Sequence, residues 1–323
     1  MAEVIIQADD LHFVYDKLSV LDGVHFHVDS GEIFGLVGAD GAGKTTLLRL
    51  AAGQLPLQQG QLRVLGKDPS TPALRDDIAY MPQGFGLYRD LSVQENLKFF
   101  SDLHGITSDK ARVRIGDLLQ RTGLNGFEGR RAGQLSGGMM QKLALACALV
   151  SEPKVMFLDE ATTGVDPVSR RAFWQLLEGV RAEGVAILYA TANMDEAERC
   201  DRVGLLQDGK LVKQGTPLSL LGDSKMQFVE IAGERARELR HRLNDMEGVR
   251  LLYPVGRRLN AWLGKELSLD DFRRRLSEFQ LEVKVQQPTL HDVALFDLAV
   301  DKSPSIPPFS KGGLRGIYLH GKE

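Results

Sequence analysis

The stretch Gly38-Ala39-Asp40-Gly41-Ala42-Gly43-Lys44-Thr45 constrains this chain more than any other. It meets the pattern G-x-x-x-x-G-K-[ST] at every fixed position. Residues 32–37 before it read as a short buried strand, and 46–52 after it as a helix closed by Gly53. Strand, glycine loop and helix in that order aim backbone N–H groups and a helix N-terminus at phosphate oxygens. The glycines keep Cβ atoms clear of the phosphates and permit positive φ. On this reading Lys44 reaches the β- and γ-phosphates and the Thr45 hydroxyl ligates Mg²⁺. Gly38 to Thr45, with Thr46, form the nucleotide cradle.

A second signal lies downstream. Val155-Met156-Phe157-Leu158-Asp159-Glu160 is an apolar run ending in two acids. It reads as a buried parallel strand with carboxylates at its C-terminal end, where α/β sheets hold ligands. Asp159 would hold Mg²⁺, directly or through water, and Glu160 would orient or deprotonate an attacking water. Residues 185–190 read as another buried strand. Leu135-Ser136-Gly137-Gly138 precedes a long helix over 139–150. Ser136 can serve as its N-cap, or Ser136, Gly137 and Gly138 can form a second phosphate-binding helix N-terminus. Tyr15, upstream of the phosphate loop, can stack on an adenine or be an ordinary strand tyrosine.

The remaining pattern is that of a water-soluble α/β chain. At 323 residues there is room for one large domain and a small one. Hydrophobic content of 43% and charged content of 26% are ordinary, and a net charge of -3 gives no nucleic-acid footprint. No apolar run approaches the roughly 18 residues of a membrane span, and the first residues lack the pattern of a signal peptide. Cys147 and Cys200 lie in apparent helices without metal-binding spacing, which suits free thiols in a reducing cytosol. Alternating segments at 4–6, 11–15 and 24–28 suggest an antiparallel sheet beside the nucleotide-binding core. Short strands follow at 61–65 and 78–81, the latter broken by Pro82-Gln83. Residues 91–150 are helix-rich. Ser92-Val93-Gln94-Glu95 has the form of a capping box, and 108–121 is an amphipathic helix whose Lys110, Arg112 and Arg114 read as a solvated face. A helix over 195–200, a strand over 203–206 and an Asp208-Gly209 hairpin complete the region.

These pieces in this order resemble the ATP-binding domain of an ABC transporter over residues 2–220. The family's Q-loop matches Gln83 and its signature matches Leu135-Ser136-Gly137-Gly138-Met139. Its second acidic motif matches 155–160 and its D-loop matches Gly164-Val165-Asp166. The runs Met194-Asp195-Glu196-Ala197-Glu198-Arg199 and Asp166-Pro167-Val168-Ser169-Arg170-Arg171 are similar to ABC-2 exporters, and in particular to the first half of tandem exporter ATPases. The resemblance implies an α/β P-loop NTPase with a RecA-like core, an antiparallel β subdomain and a helical subdomain. It implies Lys44, Gln83 and Glu160 in catalysis, and Thr45, Gln83 and Asp159 at Mg²⁺. Two such domains, as a homodimer or heterodimer, would sandwich ATP between one phosphate loop and the other's Ser136-Gly137-Gly138. An ABC-2 membrane permease would be supplied in trans, with a membrane-fusion protein as a further partner and no nucleic acid. The place implied is the cytoplasmic face of the cell membrane. A soluble ATPase of ribosomes or DNA would carry a coiled-coil insertion, a zinc site or a second such domain, and the sequence has none of these. Two positions depart from the family: Ala161 replaces a common proline, and Ala192 stands where a switch histidine is expected. The alternative is therefore a chain that binds ATP but hydrolyses it poorly, as the regulatory half of a heteromeric transporter.

Past residue 221 the pattern changes. Strands at 227–231, 249–253, 259–263 and 281–285, with helices at 234–246 and 269–279, give the order βαββαβ of a small ferredoxin-like α+β domain over 222–300. A helix at 290–299 follows. Residues 301–323, rich in Pro, Gly, Ser and Lys, are expected to be a disordered tail, ending about where a tandem's second domain would begin.

Overall fold

The computed structural model describes residues 3–222 and 226–300; the expected tail lies outside them. The chain divides into two units, Met1–Gly215 and Thr216–Glu323, so the division falls six residues before the expected one.

The first unit opens with β1 (Val4–Tyr15) and β2 (Leu18–Asp29), then β3 (Ile33–Val37), the phosphate loop and α1 (Lys44–Ala51). After β4 (Gln59–Val64) and β5 (Ile78–Met81) come α2 (Val93–Leu103), α3 (Ser108–Thr122) and α4 (Gly137–Leu149). The unit closes with β6 (Val155–Asp159), α5 (Pro167–Ala182), β7 (Ala186–Thr191), α6 (Met194–Ala197), β8 (Arg202–Gln207) and β9 (Lys210–Gly215). Six strands form a sheet in the order β5-β6-β7-β3-β8-β9, parallel except for the last pair. Every residue of β3, β6 and β7 is buried. Central parallel strands are covered on both faces, so they read as unbroken apolar runs. A second, antiparallel sheet has the order β2-β1-β4. β1 is one strand rather than the two expected. Its register shifts between Ala8 and Leu11, where Asp10 takes φ 51°, and this bulge interrupts the alternation.

The helices α2, α3 and α4 share their own core, with Leu97, Leu118, Leu143 and Val150 at its centre. The capping box at α2 is complete: Glu95 N–H donates to Ser92 Oγ at 3.1 Å and Ser92 N–H donates to Glu95 Oε2 at 2.7 Å. Gly123 ends α3 in the left-handed conformation. One expectation on α3 fails. Arg114 is half-buried and paired with the exposed Glu152, unlike the exposed Lys110 and Arg112, so it is not part of a fully solvated face.

The second unit begins with α7 (Pro217–Gly222) and continues through β10 (Gln227–Ala232), α8 (Arg240–Asn244), β11 (Val249–Val255) and β12 (Arg258–Leu263). It ends with α9 (Leu269–Ser277), β13 (Glu282–Val285) and α10 (Leu290–Val300). The sheet order β11-β12-β10-β13 is antiparallel throughout, as a split βαβ arrangement requires. Phe272 and Leu276 of α9 and Leu243 of α8 share one core with Ile231 and Leu259. Val293 and Phe296 of α10 pack with Phe228 and Trp262 in another. The helix expected over 234–246 is reduced to α8, because 235–239 form turns.

Candidate functional site

Four strands of the six-stranded sheet deliver the site from their C-terminal ends. β3 runs into the phosphate loop, β5 into Gln83, β6 into Glu160 and β7 into Ala192. In a parallel sheet all such ends lie on one edge, which is why residues far apart in the chain converge there.

The loop is held tightly at its two outer glycines. A Cβ on Gly38 would lie 2.3 Å from the Leu206 carbonyl, and one on Gly43 (φ 107°) 2.8 Å from the Val20 carbonyl. At Gly41 a Cβ would meet nothing within 4 Å, so the rim of the loop is open. The loop leads directly into α1, whose first cross-turn bond runs from Leu47 N–H to the Gly43 carbonyl at 3.0 Å. The N–H groups of Lys44, Thr45 and Thr46 thus precede the helical ladder and face the anion-attracting end of the helix.

Lys44 is 5% exposed. Its Nζ donates to the carbonyls of Gly38 at 2.8 Å and Ala39 at 3.0 Å and lies 3.4 Å from Glu160 Oε1. Glu160 is in turn met by Gln83 Nε2 at 3.1 Å and the Thr163 hydroxyl at 3.4 Å. Its backbone adopts φ 50°, a strained choice for a non-glycine residue that turns the chain sharply off the end of β6. Asp159, 1% exposed, accepts from the Thr45 hydroxyl at 3.1 Å. Gln83 is therefore brought to Glu160 and not to the Thr45–Asp159 pair.

Tyr80 was not singled out by sequence, yet it belongs to the site. Its hydroxyl donates to Asp159 Oδ2 at 3.3 Å. Burial, then the Asp159 charge, pushes this phenol above its ordinary range, so it stays a donor. The only sequence signal was a polar-tipped residue in a short, half-buried strand.

The residues fit a hard cation. Thr45 Oγ1 and Asp159 Oδ1 are neighbouring oxygen donors, and Tyr80 fixes the carboxylate's other oxygen. Among the described residues no group of three or more His, Cys, Asp or Glu side chains could hold a metal alone. A cation there would share its coordination with phosphate and water.

Other expected residues lie apart from this convergence. Ser136 caps α4, accepting from Met139 N–H at 3.3 Å. Gly138 is seated on α5, where a Cβ would fall 2.1 Å from Ser169 Oγ. Among the described residues no hydrogen bond joins Ser136, Gly137 or Gly138 to the phosphate loop. Tyr15 is 40% exposed and stands edge-on to Phe13, their ring centroids 4.9 Å apart. Asp166 caps α5 through Val168 and Ser169 N–H groups, and the Ser169 hydroxyl and N–H hold its carboxyl below the usual range. Ala192 is exposed. Asn193 Oδ1 accepts from Asp195 N–H at 3.0 Å, so that oxygen caps α6. Cys147 is in α4, whereas Cys200 follows α6 outside any helix; both are free and buried, and burial raises both thiols.

A glycine loop between a buried strand and a helix, with a lysine at the helix start and an acid pair at the end of β6, two strands along the sheet, defines a P-loop nucleotide-binding protein. Comparison with known proteins narrows this. The family model described as ABC transporter matches residues 21–163. The chain is 42% identical over 300 residues to the probable multidrug ABC transporter ATP-binding protein YbhF of Escherichia coli K12, covering 92% of this chain and 51% of that protein. It is 38% identical over 233 residues to the Nod factor export ATP-binding protein I of Burkholderia pseudomallei, covering 71% of this chain and 77% of that protein. Among solved structures, cbiO1 from Clostridium perfringens, part of the ABC transporter complex cbiONQ, superposes with a TM-score of 0.64. It is 29% identical, over 75% of this chain and 96% of that one. The chain belongs to the ABC transporter family of ATP-binding proteins. It spans about half the length of the E. coli relative.

Proposed function

We propose that this chain is the ATP-binding and ATP-hydrolysing subunit of an ABC-2 type exporter, coupling nucleotide turnover to a separate membrane permease. The observation that carries it is the meeting of Lys44, Glu160, Gln83, Thr45 and Asp159 at one edge of the six-stranded sheet. Lys44 is a point charge already aimed across the loop, and phosphate oxygens would replace the Gly38 and Ala39 carbonyls as its acceptors. Thr45 and Asp159 would hold Mg²⁺, which when bound offsets the charge of the phosphates. Glu160, released from Lys44, orients or deprotonates the attacking water, with Gln83 fixing its other oxygen. Gly38 to Thr46 bind the phosphates, Tyr15 supports the base, and Ser136, Gly137 and Gly138 close over ATP held by a second ATP-binding domain. The multidrug and Nod factor export relatives support an exporter; a permease in trans, a place on the cytoplasmic face of the membrane and a membrane-fusion protein as a further partner complete the reading. The half-length match to the E. coli relative supports likeness to one half of a tandem ATPase. Among the described residues no helix is long and apolar enough to cross a membrane. The divisions 1–221 for ATP binding and 222–300 for an accessory ferredoxin-like domain belong to the same reading.

A second reading is favoured by the 191–193 turn: a chain that binds ATP but turns it over slowly, paired with a competent partner. Ala192 offers no polar side-chain group and the Asn193 oxygen is spent on its helix. Single-turnover hydrolysis of Mg²⁺-ATP by the purified chain, beside affinity capture from detergent-solubilised membranes, tests both. Turnover at about 1 s⁻¹ or faster, abolished by Glu160→Gln, supports the first reading. Binding with far slower turnover supports the second. Failure to bind ATP, or capture of ribosomes and no polytopic membrane protein, overturns both.

A further inference from the structure

Beneath the 191–193 turn lies a buried carboxylate that the reading above does not use. Glu196 is 4% exposed. A charge held away from water must be satisfied by directed partners, and this one gathers them from three parts of the chain. The Thr162 hydroxyl donates to Oε1 from the loop that follows Glu160. The hydroxyls of Thr191, at 2.6 Å, and Tyr189, at 3.2 Å, donate to Oε2 from β7. Arg170 of α5 faces Oε1 with its Nε at 3.7 Å, while its Nη2 donates to the Val165 carbonyl at 3.3 Å.

We propose that Glu196 is a positioning residue for the hydrolysis assigned above: its carboxylate clamps the 160–166 loop to the 191–193 turn and so fixes where Glu160 stands. The proposal rests on that assignment for the reaction, though the clamp itself is a property of the fold. On the loop side, Val165 N–H donates to the Thr162 carbonyl at 3.1 Å and Thr163 N–H to the Glu160 carbonyl at 3.1 Å. Any shift of Thr162 is therefore passed to Glu160, two residues before it. On the turn side, the Thr191 hydroxyl that donates to Glu196 also accepts Asn193 N–H at 2.9 Å. Glu160 N–H closes the circuit on the Ala190 carbonyl at 2.9 Å. Arg170 Nε is buried without a hydrogen-bond acceptor, and the Glu196 carboxylate facing it is its ion-pair partner. A buried ion pair is seldom the most stable filling of such a space, but its directed bonds specify one arrangement of the groups around it.

Glu196→Gln is the informative variant. It keeps the shape and accepts from two of the hydroxyls, but it loses the charge facing Arg170. Three quantities are measured on the full chain: affinity for a fluorescent ATP analogue, single-turnover hydrolysis, and backbone amide exchange without nucleotide. We expect unchanged affinity and a hydrolysis rate lower by about 10- to 100-fold, the scale of a small misplacement of a reacting group. Exchange should quicken together in 160–166 and 191–193. Arg170→Met should reproduce the pattern, and the double variant should be no worse than the more affected single one. Exchange quickened only within α6, or affinity and rate falling in parallel, overturns the clamp. A wild type that binds no ATP defeats the functional assignment instead, and the exchange pattern still decides whether the clamp exists.

Discussion

The phosphate loop and the Ser136–Gly138 segment are both small-residue openings of a helix, yet the structure builds them in opposite ways. α1 has no side-chain cap at Gly43, and its first N–H groups precede the helical ladder. Around it stand a lysine, two carboxylates, a glutamine and a tyrosine, each held by a neighbour. α4 is capped by its own Ser136, and no charged side chain among the described residues is bonded to that end. One helix start is surrounded by groups able to do chemistry. The other offers an approachable backbone and little more. The contrast suits two halves of one site that meet only when two domains pair, as proposed above.

The largest effect concerns what the richer region lacks. Ala192→His should raise single-turnover hydrolysis by about 10²–10³-fold, the usual worth of one preorganised contact to developing charge, while leaving ATP affinity in place. A wild type already turning over rapidly, with no gain from histidine, would remove the supposed deficit and direct attention to Asn193→Ala. Next in size is Lys44→Ala. Losing a charge-assisted contact of about 1.5–3 kcal/mol should weaken nucleotide binding by roughly 10- to 100-fold. Isothermal titration that finds the affinity intact would show the loop to be misassigned. Gly138→Ala strikes the poorer region through packing alone. Its methyl would overlap Ser169, so a loss of about 1–3 kcal/mol is expected in denaturant unfolding, with binding at the chain's own loop preserved. Gly137→Ala is the mildest and the most discriminating. A Cβ there meets nothing within 4 Å, so stability should move by no more than about 0.5 kcal/mol. A fall in turnover with affinity unchanged would mark Gly137 as facing phosphate on another domain. Unchanged turnover would leave the segment as a helix cap.

Much of this was legible before any coordinates, and the reason is physical. β6 and β7 lack the alternation of half-exposed strands, so their burial could be read directly. The phosphate loop and Ser92-Val93-Gln94-Glu95 are local devices whose bonds stay within a few residues. What could not be read was made by pairing. Tyr80 matters because β5 lies beside β6 and sets its hydroxyl on Asp159. Glu196 matters because Thr162, Arg170 and Thr191 come to it from separate elements. The stretch 234–246 has the charges of a helix, but its first half turns instead, and composition alone could not reveal that.

The Val20 carbonyl, which leaves no room for a side chain on Gly43, leaves none on Gly209 either: a Cβ there would lie 2.5 Å away. Asp22 N–H also donates to the Gly209 carbonyl at 2.9 Å. The antiparallel sheet, the phosphate loop and the Asp208-Gly209 hairpin thus meet along one seam without clearance. Mechanically, it is a bearing with no play: a tilt of the small sheet must displace the loop or the hairpin. An environment-sensitive dye on Asp208, exposed on that hairpin, would therefore serve as a dial for the loop's movement.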